Sequence, residues 1–276
     1  MSESRKFFSG SYSAATNFYG KVQNFSLDSV IIYIKKASTA ITESDLEKIT
    51  VNGSLKNSKG DNVILINNIP LSLLADYSDY KGGWSANSVD NSGAIKLDLG
   101  NIILEGNDEV NLSFSCATPG EATTLYVFGY DSFIGPEQII TYDHVIAQAT
   151  QHYTFNDVID VFAKIASPSE SAMIAVDDFY GRNQIAETEV VALGAAQGRA
   201  ENFDNFGVVF HDETGLTQSV GITTGSANER LLVQKRFFDE TRIGNAQKSY
   251  IDAAALLNHI KQNNSNKYRC LMALFG

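Results

Sequence analysis

Two jelly-roll β-barrels in tandem, all-β in the main with a few short helices, is the fold class this sequence predicts. Short apolar or alternating runs recur roughly every ten residues with polar turns between them and no βαβ rhythm, which argues for antiparallel sheets packed face to face. The 12 Tyr and 16 Phe against 3 Met and 4 Pro tilt the composition toward strand. The third observation is an echo between halves: Lys35-Lys36-Ala37-Ser38 followed by Ile49-Thr50-Val51 returns as Lys164-Ile165-Ala166-Ser167 followed by Ile174-Ala175-Val176. A block that recurs about 130 residues on, in a chain of 276, points to two copies of one unit.

In chain order, residues 1–21 carry Arg5, Lys6, Phe7, Phe8, Tyr12, Phe18 and Tyr19 among Ser, Gly, Ala and Asn, with no period of 2 or 3.6, and read as an extended arm. Aromatics at that density are costly to leave in water, so the arm is expected to dock on a neighbouring subunit or a membrane surface. Residues 22–137 read as the first jelly roll, with strands at 30–34, 49–51, 63–66, 94–99, 110–116 and 123–128. Turn chemistry separates them: Asn52-Gly53, Gly60-Asp61, Gly82-Gly83, Gly106-Asn107 and Pro119-Gly120. Thr42 or Ser44 caps a helical turn over 43–48, Pro70 opens a helix at 71–77, and Gly100 marks a bulge or sharp bend. The connection over 76–92, with Tyr77, Tyr80 and Trp84, reads as a long loop suited to contact with a neighbour.

Residues 138–276 read as the second jelly roll, entered through a thinly patterned joint around 134–156. Its strands are expected at 158–165, 172–176, 187–193, 206–211, 217–222, 230–233 and 268–275. A helix between Gly244 and Asn264 sets Tyr250, Ile251, Ala254, Leu257 and Ile260 on one face. The two halves therefore place their main helix differently, mid-half in the first and near the end in the second.

Acidic residues number 32 against 21 basic, a net charge of −11, which argues against a phosphate-binding surface and against direct nucleic-acid binding. No run approaches the ~18 apolar residues of a spanning helix, and the first twenty residues lack the apolar core of a secretory signal, so a soluble chain made in a cytoplasm is expected. Cys116 and Cys270 both sit in apolar alternating runs, where a free thiol serves as a small hydrophobe.

Candidate chemistry is sparse. His144, His152, His211 and His259 do not stand at metal-ligand spacing, and His211 before Asp212-Glu213 reads as a surface turn. Glu187 and Glu189 alternate onto the solvent face of the expected strand, and Asp177-Asp178 close another. With Asn107-Asp108-Glu109 they could hold calcium, but the full twelve-residue calcium loop is missing. Gly194-Ala195-Ala196-Gln197-Gly198-Arg199 lacks the Lys-Ser/Thr ending of a phosphate loop and reads as a flexible connection. Trp84 with Tyr77 and Tyr80 could stack on a sugar or pin a loop on a neighbouring subunit. No catalytic, cofactor or metal residue is assigned, and the chain reads as a non-enzyme.

The repeated block, together with Leu97-Asp98-Leu99-Gly100-Asn101-Ile102 followed by Gly106-Asn107-Asp108-Glu109-Val110-Asn111-Leu112, resembles the double jelly-roll major capsid proteins of tailless, membrane-containing icosahedral viruses. The lipid-containing phages of flavobacteria have the nearest flavour. The resemblance implies a homotrimeric, pseudo-hexagonal capsomer in contact with neighbouring capsomers and minor capsid proteins. It also implies an arm facing an internal lipid membrane, and a place in the virion after synthesis in the host cytoplasm. It carries no catalytic residue. A carbohydrate-binding β-sandwich module or adhesin, and another phage part such as a penton or spike, are the alternatives.

Overall fold

The computed structural model describes residues 3–57, 62–87, 89–131, 138–178, 181–197, 205–212 and 219–237, all within one compact unit. Period-2 alternation builds its strands. In β8 (Glu109–Cys116), Val110, Leu112, Phe114 and Cys116 turn inward while the residues between them face out. The other strands of the first half are β1 (Glu3–Tyr12), β2 (Thr16–Gln23), β3 (Ser26–Lys36), β4 (Ile49–Lys56), β5 (Asn62–Pro70), β6 (Trp84–Asn87), β7 (Ser92–Ile103) and β9 (Thr123–Asp131). They pair as two four-stranded sheets, β1-β9-β3-β7 and β2-β8-β4-β5, with β6 a short addition on β7. Except for the paired β4–β5 and β6–β7, successive strands pass from one sheet to the other, so Val30, Ile32 and Ile34 of β3 face Val51, Leu55 and Phe114 across a single core.

The second half repeats the plan. Its strands are β10 (Gln138–Ile146), β11 (His152–Asn156), β12 (Val158–Lys164), β13 (Met173–Asp178), β14 (Gly181–Ala186), β15 (Phe206–His211), β16 (Ser219–Thr223) and β17 (Arg230–Phe237). They pair as β10-β17-β12-β15 and β11-β16-β13-β14. With β6 set aside and the eight described strands of each half counted in order, both halves join first-eighth-third-sixth in one sheet and second-seventh-fourth-fifth in the other. That is the two-sheet jelly roll, twice. The echoed sequence block falls at matching places: Lys35 and Lys164 close the third strand of each roll, and Ile49 and Ile174 lie in each fourth strand.

Among the described residues three helices interrupt the strands: α1 (Glu43–Glu47), α2 (Leu71–Tyr80) and α3 (Glu187–Gln197). Asp45 accepts hydrogen bonds from the Thr42 backbone and hydroxyl at the start of α1. Both longer helices follow the fifth strand of their roll, α2 after β5 and α3 after β14. Among the described residues the longer helices of the two rolls therefore match in position, while the helix expected over 244–264 falls outside them.

Residues 187–193 form the first turns of α3 rather than a strand. The stretch of Val, Ala and Leu behind Glu187 and Glu189 suits a helix, and acids in the first turn favour its N-terminal dipole. Gly194 to Gln197 belong to the same helix, not to a flexible connection. Gly194 and Gly207 are required by packing, since a Cβ on either would collide with a backbone carbonyl, that of Phe206 or Val190.

Other expectations are corrected by the pairing. Residues 3–23 are two strands, not an arm. β1 runs along β9 and β2 along β8, and a register shift between Lys6 and Phe8 breaks the alternation that would have revealed a strand. Asn52-Gly53 is not a turn but the bulged middle of β4, with register shifts on both sides of Gly53. The stretch over 76–92 is no long loop, because α2 continues to Tyr80 and β6 turns back on β7. The thin joint holds β10 and β11. Gly100 does take φ +89°, beside the Gln138 carbonyl. The expected helix over 244–264, the last strand, His259 and Cys270 lie outside the described residues.

Two apolar clusters form among the described residues. One fills the first roll and extends through Phe162, Phe206 and Leu232 of the second; the other lies inside the second roll around Val161, Ile174, Val220 and Leu231. β10 adds two backbone pairings to β7 and one to β5, so the rolls share both apolar core and backbone hydrogen bonds.

Candidate functional site

Most residues singled out in the sequence are engaged within the chain. Phe7 and Tyr12 are buried in the first roll; Phe8 stacks on Phe18 at 5.2 Å and meets Phe114 edge-on. Burial raises the Tyr12 hydroxyl well above the ordinary tyrosine range and pushes the Cys116 thiol beside it up to about 11. Arg5 lies over the Phe25 ring and donates to the Gln23 carbonyl at 2.7 Å. Lys6 is exposed, and Tyr19 is 63% exposed with its hydroxyl on Asn111 Oδ1. The Trp84 backbone pairs with Ile95; its side chain lies outside the described residues.

Tyr77 and Tyr80 form the contact between the rolls. α2 is buried on both sides: Leu71 and Leu74 fill the first roll, while Tyr77 meets Phe162 of β12 edge-on at 5.6 Å. The Tyr77 hydroxyl donates to Asp160 Oδ2 at 2.5 Å and lies 2.8 Å from Gln234 Oε1. Gln234 Nε2 donates to the Tyr142 hydroxyl at 3.0 Å, which donates to the Asp98 carbonyl at 2.6 Å. Asp160 is wholly buried, and it also holds Lys81 Nζ at 2.6 Å and the His211 ring. His211, at the exposed end of β15, is at the surface as the sequence suggests, and its ring meets the buried Asp160 carboxylate. Burial raises both tyrosines, so they act as hydrogen-bond donors throughout the accessible pH range.

Beside this network opens a cleft of about 670 Å³ between α2, β7, β10 and β17, with Lys81, Lys96, Asp98, Gln138 and Arg236 on its walls. At the other end of the contact, Lys164 of β12 binds Asp76 of α2 at 2.5 Å and Glu43 of α1, and Arg230 of β17 binds Glu47. Burial opposes the Lys164 charge, but the two acids outweigh it and raise its pKa. Nothing in the sequence marks these partners, because each pair joins positions 80 or more residues apart.

A second buried polar feature lies wholly in the second roll. Glu187 opens α3 and Glu229 precedes β17, and each is excluded from solvent. Glu187 accepts the Ser169 N–H at 3.0 Å and Glu229 the Ser226 N–H at 3.2 Å, while the other oxygen of each carboxyl, Glu187 Oε1 and Glu229 Oε2, has no donor among the described residues. Burial first, then the neighbouring acid, pushes Glu229 up to about 8. Of the two acids that the sequence sets on a solvent face, Glu187 is buried and Glu189 is exposed. Among the described residues no three side chains of metal-binding type gather at one point.

No family model matches the chain, and no curated protein matches it in sequence. Solved structures do. The major capsid protein P2 of bacteriophage PM2 is similar over 87% of this chain and 99% of its own, at 6% identity and a TM-score of 0.54. The triple jelly-roll structure from an archaeal virus turret assembly aligns at 11% identity over 82% of this chain and 56% of that one, with a TM-score of 0.24. The glycosylasparaginase PNGase F of Flavobacterium meningosepticum aligns at 10% identity over 85% and 96%, with a TM-score of 0.33. The similarity to P2 is one of fold, and it agrees with the strand orders above: this chain is an all-β protein of the jelly-roll kind.

Proposed function

We propose that the chain is a coat protein of an icosahedral virus, a structural component and not an enzyme. The observation that carries this reading is the shared fold with the PM2 major capsid protein over nearly the full length of both chains. The internal duplication supports a trimer, because three copies of a two-roll chain supply six near-equivalent units for a pseudo-hexagonal tile. In this reading the tile meets neighbouring capsomers and minor capsid proteins in the virion. The exposed Lys6 and Tyr19, on strands and not on an arm, are candidates for contact with a neighbour or with an internal membrane.

Light scattering on the purified chain, followed by electron microscopy, tests the proposal. A trimer that resists dilution and tiles into shells or sheets is the expected result. A monomer at every concentration, with no ordered assembly, overturns it.

A further inference from the structure

The two rolls match strand for strand, yet their outer faces differ in cover. In the second roll, Phe162 of β12 and Leu232 of β17 are cross-strand partners on the outer face of their sheet, and both are fully buried because α2 of the first roll lies on them. The echoed block aligns Lys164 with Lys35, and therefore Phe162 with Tyr33 two residues earlier. The cross-strand partner of Tyr33 is Tyr126, which corresponds to Leu232. Their rings lie 5.8 Å apart, but Tyr126 is 42% exposed and Tyr33 is only half-buried. Ile31 and Phe128, the next pair along, are also half-buried.

The helices show the reverse inequality. α2 is covered on both sides. α3, its counterpart, packs Val190 and Gly194 on β15 but turns Ala192, Leu193, Ala195 and Ala196 to solvent, with Leu193 50% exposed. A helix apolar on all sides belongs in a buried setting. Charge follows the same pattern. Lys164 is held by Asp76 and Glu43, whereas its counterpart Lys35 is exposed and pairs with no acid among the described residues, and α3 exposes Glu189.

We propose that α3 of one copy docks on the Tyr33–Tyr126 face of a second copy, repeating between chains the contact that α2 makes within the chain. In taking another copy as the partner, the proposal builds on the coat-protein reading. The contact is head-to-tail, with different surfaces on the two sides, so repetition closes a ring of copies instead of a twofold dimer. Each chain then supplies one helix and one sheet face, and no aromatic face or apolar helix is left bare.

The test uses the full chain with Tyr126→Glu and Leu193→Glu, each placing a charge in the middle of one surface. Circular dichroism and thermal unfolding check the fold, and Tyr126→Ser and Leu193→Gln replace either variant that fails to fold. By light scattering, each variant alone is expected to fall to monomer mass. Mixed, the two are expected to give a species of two copies and no larger, since the variant with an intact helix meets the one with an intact sheet face at one contact only. Wild-type assembly that persists unchanged in both variants overturns this interface while leaving the coat-protein reading standing. A wild type that is monomeric throughout overturns both. Loss of assembly in both variants with no pairing on mixing overturns the head-to-tail geometry.

Discussion

The hydroxyl of Tyr77 in the first roll is bound to the carboxylate of Asp160 in the second, at a point closed to solvent from both sides. Lys81 and the His211 ring bind the same carboxylate, so Asp160 joins one helix and two strands drawn from both rolls. Tyr77→Phe keeps the ring against Phe162 and removes one donor, which is expected to cost about 1–3 kcal/mol. Asp160→Ala takes an acceptor from the buried Tyr77 hydroxyl while Lys81, 40% exposed, returns to water, and it is expected to cost about 1–3 kcal/mol. Urea unfolding measures both, and a Tyr77→Phe midpoint equal to wild type would show that this bond contributes nothing.

Phe162 belongs to the apolar cluster of the first roll although it lies in the second. The rolls are therefore expected to unfold as one cooperative unit. Phe162→Ala, which opens a cavity at their contact, should lose about 3–5 kcal/mol and divide the transition in two. Calorimetry distinguishes the cases: two transitions already present in wild type would mean that the shared cluster does not couple the rolls.

Gly194 and Gly207 bring α3 into backbone contact with β15. Gly194→Ala must push the helix off the strand, an overpacking expected to cost about 1–3 kcal/mol. The exposed neighbour Ala195, changed to Ser, should stay within about 0.5 kcal/mol. Equal melting temperatures for the two variants would contradict the close approach.

The Glu187–Glu229 pair makes stability depend on pH in a definite direction. Glu229 titrates at about 8 in the folded chain against an ordinary 4.5, so below the lower value both states carry the proton and the pair's contribution is complete. Between the two values the unfolded chain gives up a proton that the folded chain keeps, and stability falls as pH rises, levelling off above about 8. The unfolding equilibrium should shift up to about tenfold per pH unit across that window. Glu229→Gln, neutral throughout, should flatten the profile, as urea midpoints measured from pH 5 to pH 9 will show. Wild type and variant with the same slope would mean that Glu229 does not keep a proton in the folded chain.

Much of this architecture was readable from the chain. β3, β8, β9 and β12 alternate or run apolar without interruption, and Thr42 and Pro70 announced their helices. The echo of Lys35 in Lys164 marked the same strand end in two rolls. What failed did so for identifiable reasons. In β1 and β2 a register shift at Lys6/Phe8, and Ser, Gly and Asn on the outward positions, erased the period. In α3 the first residues satisfy a two-residue period as well as a helical one. The contact centred on Asp160 was invisible because its members, Tyr77, Lys81, His211 and Gln234, come together only when two separately closed barrels meet. Local pattern reports which face of a strand is buried within its own sheet, not which outer face a second domain will cover.

The pairing of β1 with β9 joins Glu3 to Asp131, so the first barrel can close once residue 131 is clear of the ribosome, before the strands of the second exist. During that interval the outward side of α2, with Tyr77 and Tyr80, has nothing to rest on. The nascent first roll thus offers a ready apolar seat on which β12 and β17 condense as they emerge. Translation itself imposes the order of assembly, and any pause between residues 131 and 237 lengthens the time that this seat is open to the wrong occupant.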